Sequence, residues 1–426
     1  MGKEDLIKRY SIDKMRGRNL FRFLGDVYRS GKTREVISFA VWETLHNLGW
    51  FPKSRYLQFS KAEPFALTNE EFAEAGFEEQ LRKPFQGQGL DIAPSVQPWK
   101  RLFVTDKNQM VGYLDPDDRC LHRSTDGGRT LIPLGCLPGR VKSVFVSSRG
   151  TVFASVKGAV YRGGEQGKPF VRAIELGSPE SFFRHSYAMT ETPEGMLIIG
   201  EYGNVWEKGG WRKLANLYLS TDDGITWRKS DFLIRKGTNK HVHIVRYSRL
   251  LGRILLCDGD NKKKLWISQP LAASTVEEPR WKPITRLHIQ TGGYTSVTES
   301  HDRVFFGTDY QGGTNFIVDT QDGRKFRKRI VPDPYRRSPI HNLVARRSKR
   351  GDEIWANLPI STGRNKCLLM CSLDGGETWN RMIEYNSKVH SISLIGASNT
   401  ATDEVYFSVK DRRNNTRVVY RIGDRT

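Results

Sequence analysis

Short apolar runs separated by polar, glycine-containing turns recur along most of the chain. The runs MLIIG, RILLC, RVFFG, EIWAN and EVYFS each contain only three or four apolar residues in a row and are followed by polar or turn-forming residues. Runs of this length, bounded by turn signals and rich in β-branched and aromatic residues, are typical of buried β-strands. The pattern therefore predicts a mainly β-structured chain built from many short strands.

Three segments along the chain share one order of side chains. They follow the pattern S-x-D-x-G-x-x-W, with leucine at the last position of the first copy, and run from Ser124 to Leu131, from Ser220 to Trp227 and from Ser372 to Trp379. In such a turn, serine and aspartate cap backbone amides, glycine takes a positive φ, and the aromatic ring covers the hairpin. Weaker copies begin at Ser268 and Asp319. A supersecondary unit repeated every roughly 35 to 55 residues indicates a repeat architecture.

Seven inner strands are predicted from this repeat. They begin near Arg101, Val141, His185, His241, Tyr294, His341 and His390. Four-stranded blades that stack radially around a channel protect their own edges and need no further domain. The sequence therefore predicts an all-β seven-bladed β-propeller over residues 98–426.

The first 97 residues differ in pattern from the rest. EDLIKRY and TREVISFAVWETLHNLG have helical periodicity, and LRKPFQGQGLDIAPSVQPW resembles a linker because of its prolines and glycines. Residues 1–97 are therefore predicted to be a partly helical, basic extension. Its apolar residues around Phe21 and Leu24 alternate with Arg18, Arg22 and Arg29, which predicts peripheral contact with an anionic membrane.

The three repeated turns resemble the Asp-box (BNR) repeats of sialidases and related β-propellers. This resemblance covers the predicted propeller and implies a carbohydrate-active enzyme, either a glycoside hydrolase or a polysaccharide lyase. The Arg-Ile-Pro or Arg-Leu-Pro motif usual near the start of sialidase propellers is absent here. That difference leaves the arginine triad of sialidases without a match in this sequence.

Candidate catalytic residues follow from the geometry of a propeller. First strands begin, and second strands end, at the same mouth of the channel, so side chains at those places converge. Four of them, which can donate or accept protons near neutral pH or act as nucleophiles, are predicted to be catalytic: His185, Tyr202, His241 and His243. Further polar and aromatic residues at the same mouth are predicted to bind substrate: Arg140, Arg184, Glu201, Asp258, Asp260, Tyr294, Asp309, Tyr310, Arg337, His341 and His390.

Two mechanisms are compatible with these candidates. The histidines, Tyr202 and the arginines favour β-elimination in a uronate-containing acidic polysaccharide, in which a cation neutralises the carboxylate and a histidine or tyrosine removes the proton. A sialidase-like hydrolase is the alternative, but Glu201 and Tyr202 are adjacent and would point to opposite faces of a strand. A propeller scaffold that binds glycan, protein or membrane without catalysis is the third hypothesis.

Cofactor requirements follow from the same residues. No cofactor is predicted to be required, and no metal site is assigned. His241 and His243 lie two residues apart on one face of a strand, which makes them a candidate pair of ligands for a divalent metal.

Charge indicates a class of partner. The chain has a formal net charge of +21, which favours polyanions and agrees with an acidic polysaccharide as the partner. Helix-turn-helix, RRM and zinc-finger signatures are missing, so no specific nucleic-acid binding is predicted. The sequence makes no prediction about the oligomeric state.

Cysteine content and the N-terminal residues bear on location. The five cysteines form no CxxC pair and predict neither a disulfide framework nor an oxidising compartment. The charged N-terminus lacks the continuous apolar segment of a signal peptide, and no apolar run is long enough to span a membrane. A cytoplasmic location, with peripheral membrane contact, is the expectation.

Overall fold

The seven predicted blades are present in the computed structural model, which describes residues 17–29, 33–67, 77–207, 210–238, 240–259, 264–270, 278–284, 293–310, 313–360 and 366–425. Seven antiparallel sheets form a ring, and the prediction of a seven-bladed β-propeller is confirmed. Each short apolar run of the sequence is one strand of a blade, because its side chains are buried between neighbouring sheets on both faces.

The first three blades contain the strands between residues 99 and 230. Blade 1 comprises β4 (Trp99–Val104), β5 (Met110–Leu114), β6 (Cys120–Ser124) and β7 (Ile132–Cys136). Blade 2 comprises β8 (Ser143–Val146), β9 (Val152–Val156), β10 (Ala159–Gly163) and β11 (Val171–Glu175). Blade 3 comprises β12 (Met189–Glu191), β13 (Leu197–Gly200), β16 (Leu217–Ser220) and β17 (Arg228–Ser230), and a hairpin, β14 (Trp206–Glu207) and β15 (Gly210–Trp211), extends from it.

The remaining four blades follow the same order from the channel outward. Blade 4 comprises β18 (Val242–Ser248), β19 (Arg253–Asp258), β20 (Leu265–Ser268) and β21 (Trp281–Pro283). Blade 5 comprises β22 (Gly293–Glu299), β23 (Val304–Asp309), β24 (Phe316–Thr320) and β25 (Arg327–Ile330). Blade 6 comprises β26 (Asn342–Ser348), β27 (Gly351–Leu358), β28 (Cys367–Ser372) and β29 (Thr378–Tyr385). Blade 7 comprises β30 (His390–Leu394), β32 (Val405–Asp411), β33 (Arg417–Asp424) and β3 (Leu90–Pro94).

Blade 7 is built from both ends of the propeller chain. Its outermost strand, β3, lies in the segment that was expected to be a linker, and it pairs antiparallel with β33 from Leu90 opposite Asp424 to Pro94 opposite Tyr420. A short strand after β30, β31 (Gly396–Ala397), pairs in parallel with β4 of blade 1. These two pairings hold the ring closed with backbone hydrogen bonds.

The repeated S-x-D-x-G turns connect the third and fourth strands of blades 1, 3 and 6. In blade 3 the Ser220 hydroxyl donates to Asp222 at 2.8 Å and accepts from the amide of Gly224 at 2.9 Å. Gly224 has a φ of +79°, and a Cβ there would lie 2.4 Å from the ring of Phe153 in blade 2. The glycine therefore serves both the turn and the close approach to the neighbouring blade.

Two of the N-terminal helices, Thr33–Asn47 and Phe77–Gln86, pack on blades 5, 6 and 7. The helical segments are α1 (Arg18–Arg29), α2 (Thr33–Asn47), the 3-10 turn Lys53–Arg55, α3 (Phe77–Gln86) and, within blade 3, α4 (Phe232–Arg235). Trp42 of α2 makes an edge contact with Phe316 at 5.0 Å, and Glu43 forms ion pairs with Arg336 and Arg337. The helix expected at EDLIKRY lies outside the described residues.

Two short strands and α3 extend this contact. The strands β1 (Gln58–Phe59) and β2 (Phe65–Leu67) both pair in parallel with β29 of blade 6. Phe85 of α3 is fully buried and stacks on Trp355 and Phe407, which belong to blades 6 and 7. Residues 33–67 and 77–94 thus contribute strands and buried side chains to the propeller.

One pair of cysteines differs from the expectation of free thiols. Cys120 and Cys136 are directly opposite each other in β6 and β7 and form a disulfide bond. The other three cysteines are free and buried, namely Cys257, Cys367 and Cys371. The sequence spacing gave no sign of this bond because the two residues meet only through strand pairing.

In the described part of the chain, no helix has the length and apolarity that crossing a bilayer requires.

Candidate functional site

The two ends of the channel are distinguished by strand direction. Val242 pairs with Asp258, and Gly293 with Asp309, so first-strand starts and second-strand ends meet at one mouth, here called the upper mouth. The opposite end, where first strands finish, is called the lower mouth. The predicted catalytic and substrate-binding residues belong to blades and loops around the upper mouth.

Two histidines of the upper mouth form a hydrogen-bonded pair. Nδ1 of His241 lies 2.7 Å from the carbonyl of Gly203, and Nδ1 of His243 lies 3.1 Å from the carbonyl of Tyr294. Carbonyl oxygens only accept, so both Nδ1 atoms carry a proton. The two Nε2 atoms are 3.0 Å apart and need one further proton between them to form a hydrogen bond. Both imidazoles are buried.

Tyr202 and Arg184 lie beside this pair. The ring of Tyr202 is 4.0 Å from the His241 ring, and the guanidinium of Arg184 lies 5.6 Å from the Tyr202 ring. Arg184 also donates to the carbonyl and the hydroxyl of Thr295, each at 2.7 Å. Arg184 belongs to blade 3 and Thr295 to blade 5, so this contact passes across the channel. The structure therefore brings together four predicted residues, Arg184, Tyr202, His241 and His243, and the backbone of Tyr294.

Glu201 is part of the wall of blade 3. Its fully buried carboxylate accepts from the amide of Gly177, the Ser181 hydroxyl, the Asn216 amide and the Tyr218 hydroxyl, at 2.6 to 3.1 Å. These four donors occupy the lone pairs of the carboxylate. The geometry therefore gives Glu201 a structural role beside any predicted contact with substrate.

Asp258 is similarly enclosed at the end of β19. It accepts from the amide of Lys264 at 2.6 Å and from the hydroxyl of Thr238 at 3.1 Å. Burial raises the pKa of Asp258 to about 6, and these hydrogen bonds oppose the rise. The other acid predicted nearby, Asp260, lies outside the described residues.

His185 and His390 are separated from the His241 and His243 pair. His185 lies against blades 1 and 2, where it contacts the carbonyl of Leu102 at 3.2 Å and the amide of Val144 at 3.3 Å. Desolvation and then the charge of Arg101 lower the pKa of His185 to about 3, so it is neutral at physiological pH. His390 is buried at the start of blade 7, where desolvation lowers its pKa and Asp411 opposes that change.

The remaining predicted residues lie around the outer part of the upper mouth. Arg140 pairs with Asp118 at 3.0 Å, far along the ring in blade 1. Asp309 lies 3.7 Å from His341. Tyr310 stacks on Phe39 of α2 at 6.4 Å, and Arg337 pairs with Glu43 of the same helix. Helix α2 therefore lies at the edge of this mouth next to blades 5 and 6.

A metal site at the two histidines stays a prediction. Within the described ranges, no group of three or more histidine, cysteine, aspartate or glutamate residues is placed to hold a metal ion. The carbonyl acceptors at both Nδ1 atoms are the partners that metal-binding histidines usually have. The same carbonyl acceptors are equally compatible with a proton shared between the two Nε2 atoms.

The lower mouth, which the sequence interpretation did not consider, contains two adjoining cavities. One has a volume of about 460 Å³ and the other about 660 Å³, and both are lined by Asp106, Arg249 and Asn399. Volumes in this range are typical of small-molecule sites. Because they share three lining residues, the two cavities form one depression across the lower mouth.

Arg246 is the distinctive residue of this depression. It lies in β18 of blade 4, is 8% exposed, and donates to Asn399, on the opposite side of the ring, at 3.5 Å. Among the described residues, no carboxylate oxygen lies within 4.0 Å of its guanidinium. Burial lowers the pKa of Arg246, and the more distant charge of Glu299 opposes this change.

The acidic residues of the lower mouth are occupied by other partners. Asp106 accepts from Arg249 at 2.6 Å and from Thr400 at 2.7 Å. Glu299 accepts from the hydroxyl of Ser248 and the amide of Leu250. Asp352 accepts from the backbone amide of His301 and also contacts the ring of that histidine. These carboxylates join neighbouring or facing blades, and they act on the Arg246 charge only from beyond ion-pairing distance.

Several solved structures resemble this chain. A catalytically inactive virginiamycin B lyase from Staphylococcus aureus, solved with quinupristin, is 15% identical and has a TM-score of 0.51, over 78% of this chain and 99% of that chain. A chain of a mitotic checkpoint complex is 11% identical with a TM-score of 0.50, over 88% of this chain and 100% of that one. No protein-family model and no curated protein matches the sequence. At these identities the likeness shows the propeller fold alone.

These comparisons correct two sequence-based inferences. The similar structures named above are not sialidase-like propellers, so the assignment to Asp-box sialidases is wrong. Cleavage of an acidic polysaccharide, which depended on that assignment, is wrong with it. The physical reason is that the S-x-D-x-G turn stabilises a hairpin through local hydrogen bonds. Such a turn can occur in propellers of different function, so it does not identify the function.

Proposed function

We propose that the protein binds a small anionic ligand, carrying a carboxylate or phosphate group, at the lower mouth of its channel. The observation that carries this proposal is the buried Arg246 guanidinium, which faces a cavity of about 460 Å³ without a carboxylate within ion-pairing distance among the described residues. A buried charge without a close counterion is costly, and a bound anion would remove that cost.

The surroundings of Arg246 support an anion over a neutral ligand. Arg249 and Arg347 line the same cavity and pair with Asp106 and Asp403, while Glu299 and Asp352 accept the hydrogen bonds described above, so Arg246 is the guanidinium of this cavity that has no ion pair among the described residues. Guanidinium groups bind carboxylate and phosphate oxygens with two parallel hydrogen bonds, which gives both strength and orientation. The net charge of +21 adds long-range attraction for the same class of ligand.

The upper mouth contributes a second positive region in this proposal. Arg184 lies at the other end of the channel, beside Tyr202 and near the His241 and His243 pair. The hydroxyl of Tyr187 bridges the channel to the backbone of Leu343. Burial raises the pKa of Tyr187, and the charges of Arg184 and Arg246 both oppose that rise. Catalytic roles for the upper residues stay predictions, and anion binding at the lower mouth does not depend on them.

Titration calorimetry with citrate and inorganic phosphate as probes tests the proposal. We expect saturable, one-to-one binding of at least one probe, with an affinity that falls as sodium chloride rises, because binding neutralises a charge. Glycerol at the same concentration, which has no charge, should give no saturable heat. Absence of saturable binding by both anions at low salt would rule out the proposed site.

A further inference from the structure

Exposed apolar side chains are concentrated in the N-terminal helical region. Thirteen large apolar side chains of the described residues are exposed, and eight of these lie between residues 20 and 50. Exposed apolar residues scattered singly are normal, whereas a concentration of them marks a contact surface. Helix α2 lies at the edge of the upper mouth, but this surface is separate from the lower mouth and does not depend on the proposed function there.

Helix α1 presents one continuous apolar stripe. Leu20, Phe21, Leu24 and Tyr28 are 41%, 75%, 49% and 77% exposed. At about 100° per residue these positions fall within one third of the helix circumference. Val27, which is buried, lies on the adjoining side. The helix therefore uses one side for packing and leaves its neighbouring apolar side in solvent.

Arginines border the same stripe. Arg18, Arg22 and Arg29 are exposed and fall together on the side of α1 away from Val27. Arginine side chains are long enough to extend along an apolar surface and keep the charged group in water. An apolar stripe with a basic margin matches an anionic bilayer surface, where apolar groups enter the headgroup region and cations meet lipid phosphates.

Helix α2 continues this organisation with a clear division of its faces. Its inner face contacts the propeller through Phe39, Trp42 and Glu43. On the outer face, Ile37 and Val41 are 58% and 47% exposed, and Leu48 and Trp50 after the helix are 55% and 68% exposed. Because the inner face already holds α2 on the propeller, its outer apolar residues are not needed for that packing.

We propose that the apolar stripes of α1 and α2, with the arginines of α1, form a docking surface for an anionic lipid bilayer. The alternative occupant of an exposed apolar surface is a second copy of the chain. Charge favours the bilayer, because two copies would bring like-charged arginine margins together in a chain of net charge +21. Docking through α1 and α2 would hold the propeller at the membrane surface.

Vesicle sedimentation with the full chain tests this proposal. We expect binding to vesicles of phosphatidylcholine with phosphatidylserine, and at least about tenfold weaker binding to phosphatidylcholine alone, because both the apolar and the charged contributions are needed. The double variant Phe21→Glu, Leu24→Glu is expected to lower binding to the anionic vesicles by at least about tenfold. Ile225→Glu is the matched control, since Ile225 is 66% exposed on blade 3, and it should bind as the wild type does.

Three results would overturn the proposal. The first is the absence of sedimentation with anionic vesicles at low salt, and the second is equal sedimentation of the double variant and the wild type. The third is a dimer, seen by light scattering without vesicles, that the double variant converts to a monomer, because it would assign the stripes to a second copy. Circular dichroism that matches between variants and wild type ensures that a loss of binding reports the surface and not unfolding.

Discussion

Replacing Glu201 with alanine is expected to lower the free energy of unfolding by about 3–5 kcal/mol. The buried carboxylate is the common acceptor for Gly177, Ser181, Asn216 and Tyr218. Alanine would leave four buried donors without an acceptor, and each such donor carries a desolvation penalty. Burial, with the adjacent Glu201 charge, already raises the pKa of Tyr218, which agrees with a closely packed polar cluster.

Denaturation in urea measures this effect from the midpoint and the slope. Glu207→Ala is the control, because Glu207 belongs to the exposed β14 and β15 hairpin and, within the described ranges, pairs with Arg212 at the surface. We expect the control to change the free energy of unfolding by less than about 1 kcal/mol. A Glu201→Ala protein as stable as that control would show that the four hydrogen bonds do not hold blade 3 together.

Replacing Arg246 with glutamine is expected to weaken citrate binding by at least about 30-fold. Truncating one member of a buried, hydrogen-bonded charge pair costs about 2–5 kcal/mol, and every 1.4 kcal/mol corresponds to a factor of ten. Glutamine keeps a polar side chain but has no charge to pair with the anion. The affinity is measured by the same calorimetric titration that tests wild-type binding.

The stability of this variant separates loss of the site from loss of the fold. Without a ligand, Arg246 is a buried charge without a close counterion, so its replacement should leave the free energy of unfolding unchanged or raise it. Arg212→Gln is the binding control, since Arg212 is exposed and distant from the lower mouth. Citrate affinity that is equal in the Arg246→Gln and wild-type proteins would place the anion elsewhere.

The strand pattern of the sequence predicts most of the propeller for a simple physical reason. Strands buried on both faces, such as those containing RILLC and RVFFG, are short apolar runs bounded by turn residues, and both signals are local. The outermost strand of blade 7 escaped prediction because Leu90–Pro94 lies among glycines and prolines and is defined by its pairing with β33. The disulfide between Cys120 and Cys136 was missed for the same reason.

The site could be predicted only in part from the sequence. Propeller geometry directed attention to strand ends, and Arg184, Tyr202, His241 and His243 lie together in the structure, while their catalytic and binding roles stay predictions. The sequence contains no sign of the four donors that enclose Glu201, since they come from separate segments. Arg246 lies inside the inner strand HVHIVRYS, where one charged residue in an apolar run has no local feature that separates a channel residue from a surface one.

The location of a bound anion tests the central claim most directly. A crystal of the full chain soaked in sodium selenate would be examined by anomalous diffraction at the selenium edge, which identifies the anion without ambiguity. We expect a peak in the lower-mouth cavity within hydrogen-bonding distance, about 2.7–3.2 Å, of the Arg246 guanidinium. Selenate bound at exposed lysines and arginines, with this cavity lacking a peak, would contradict the account.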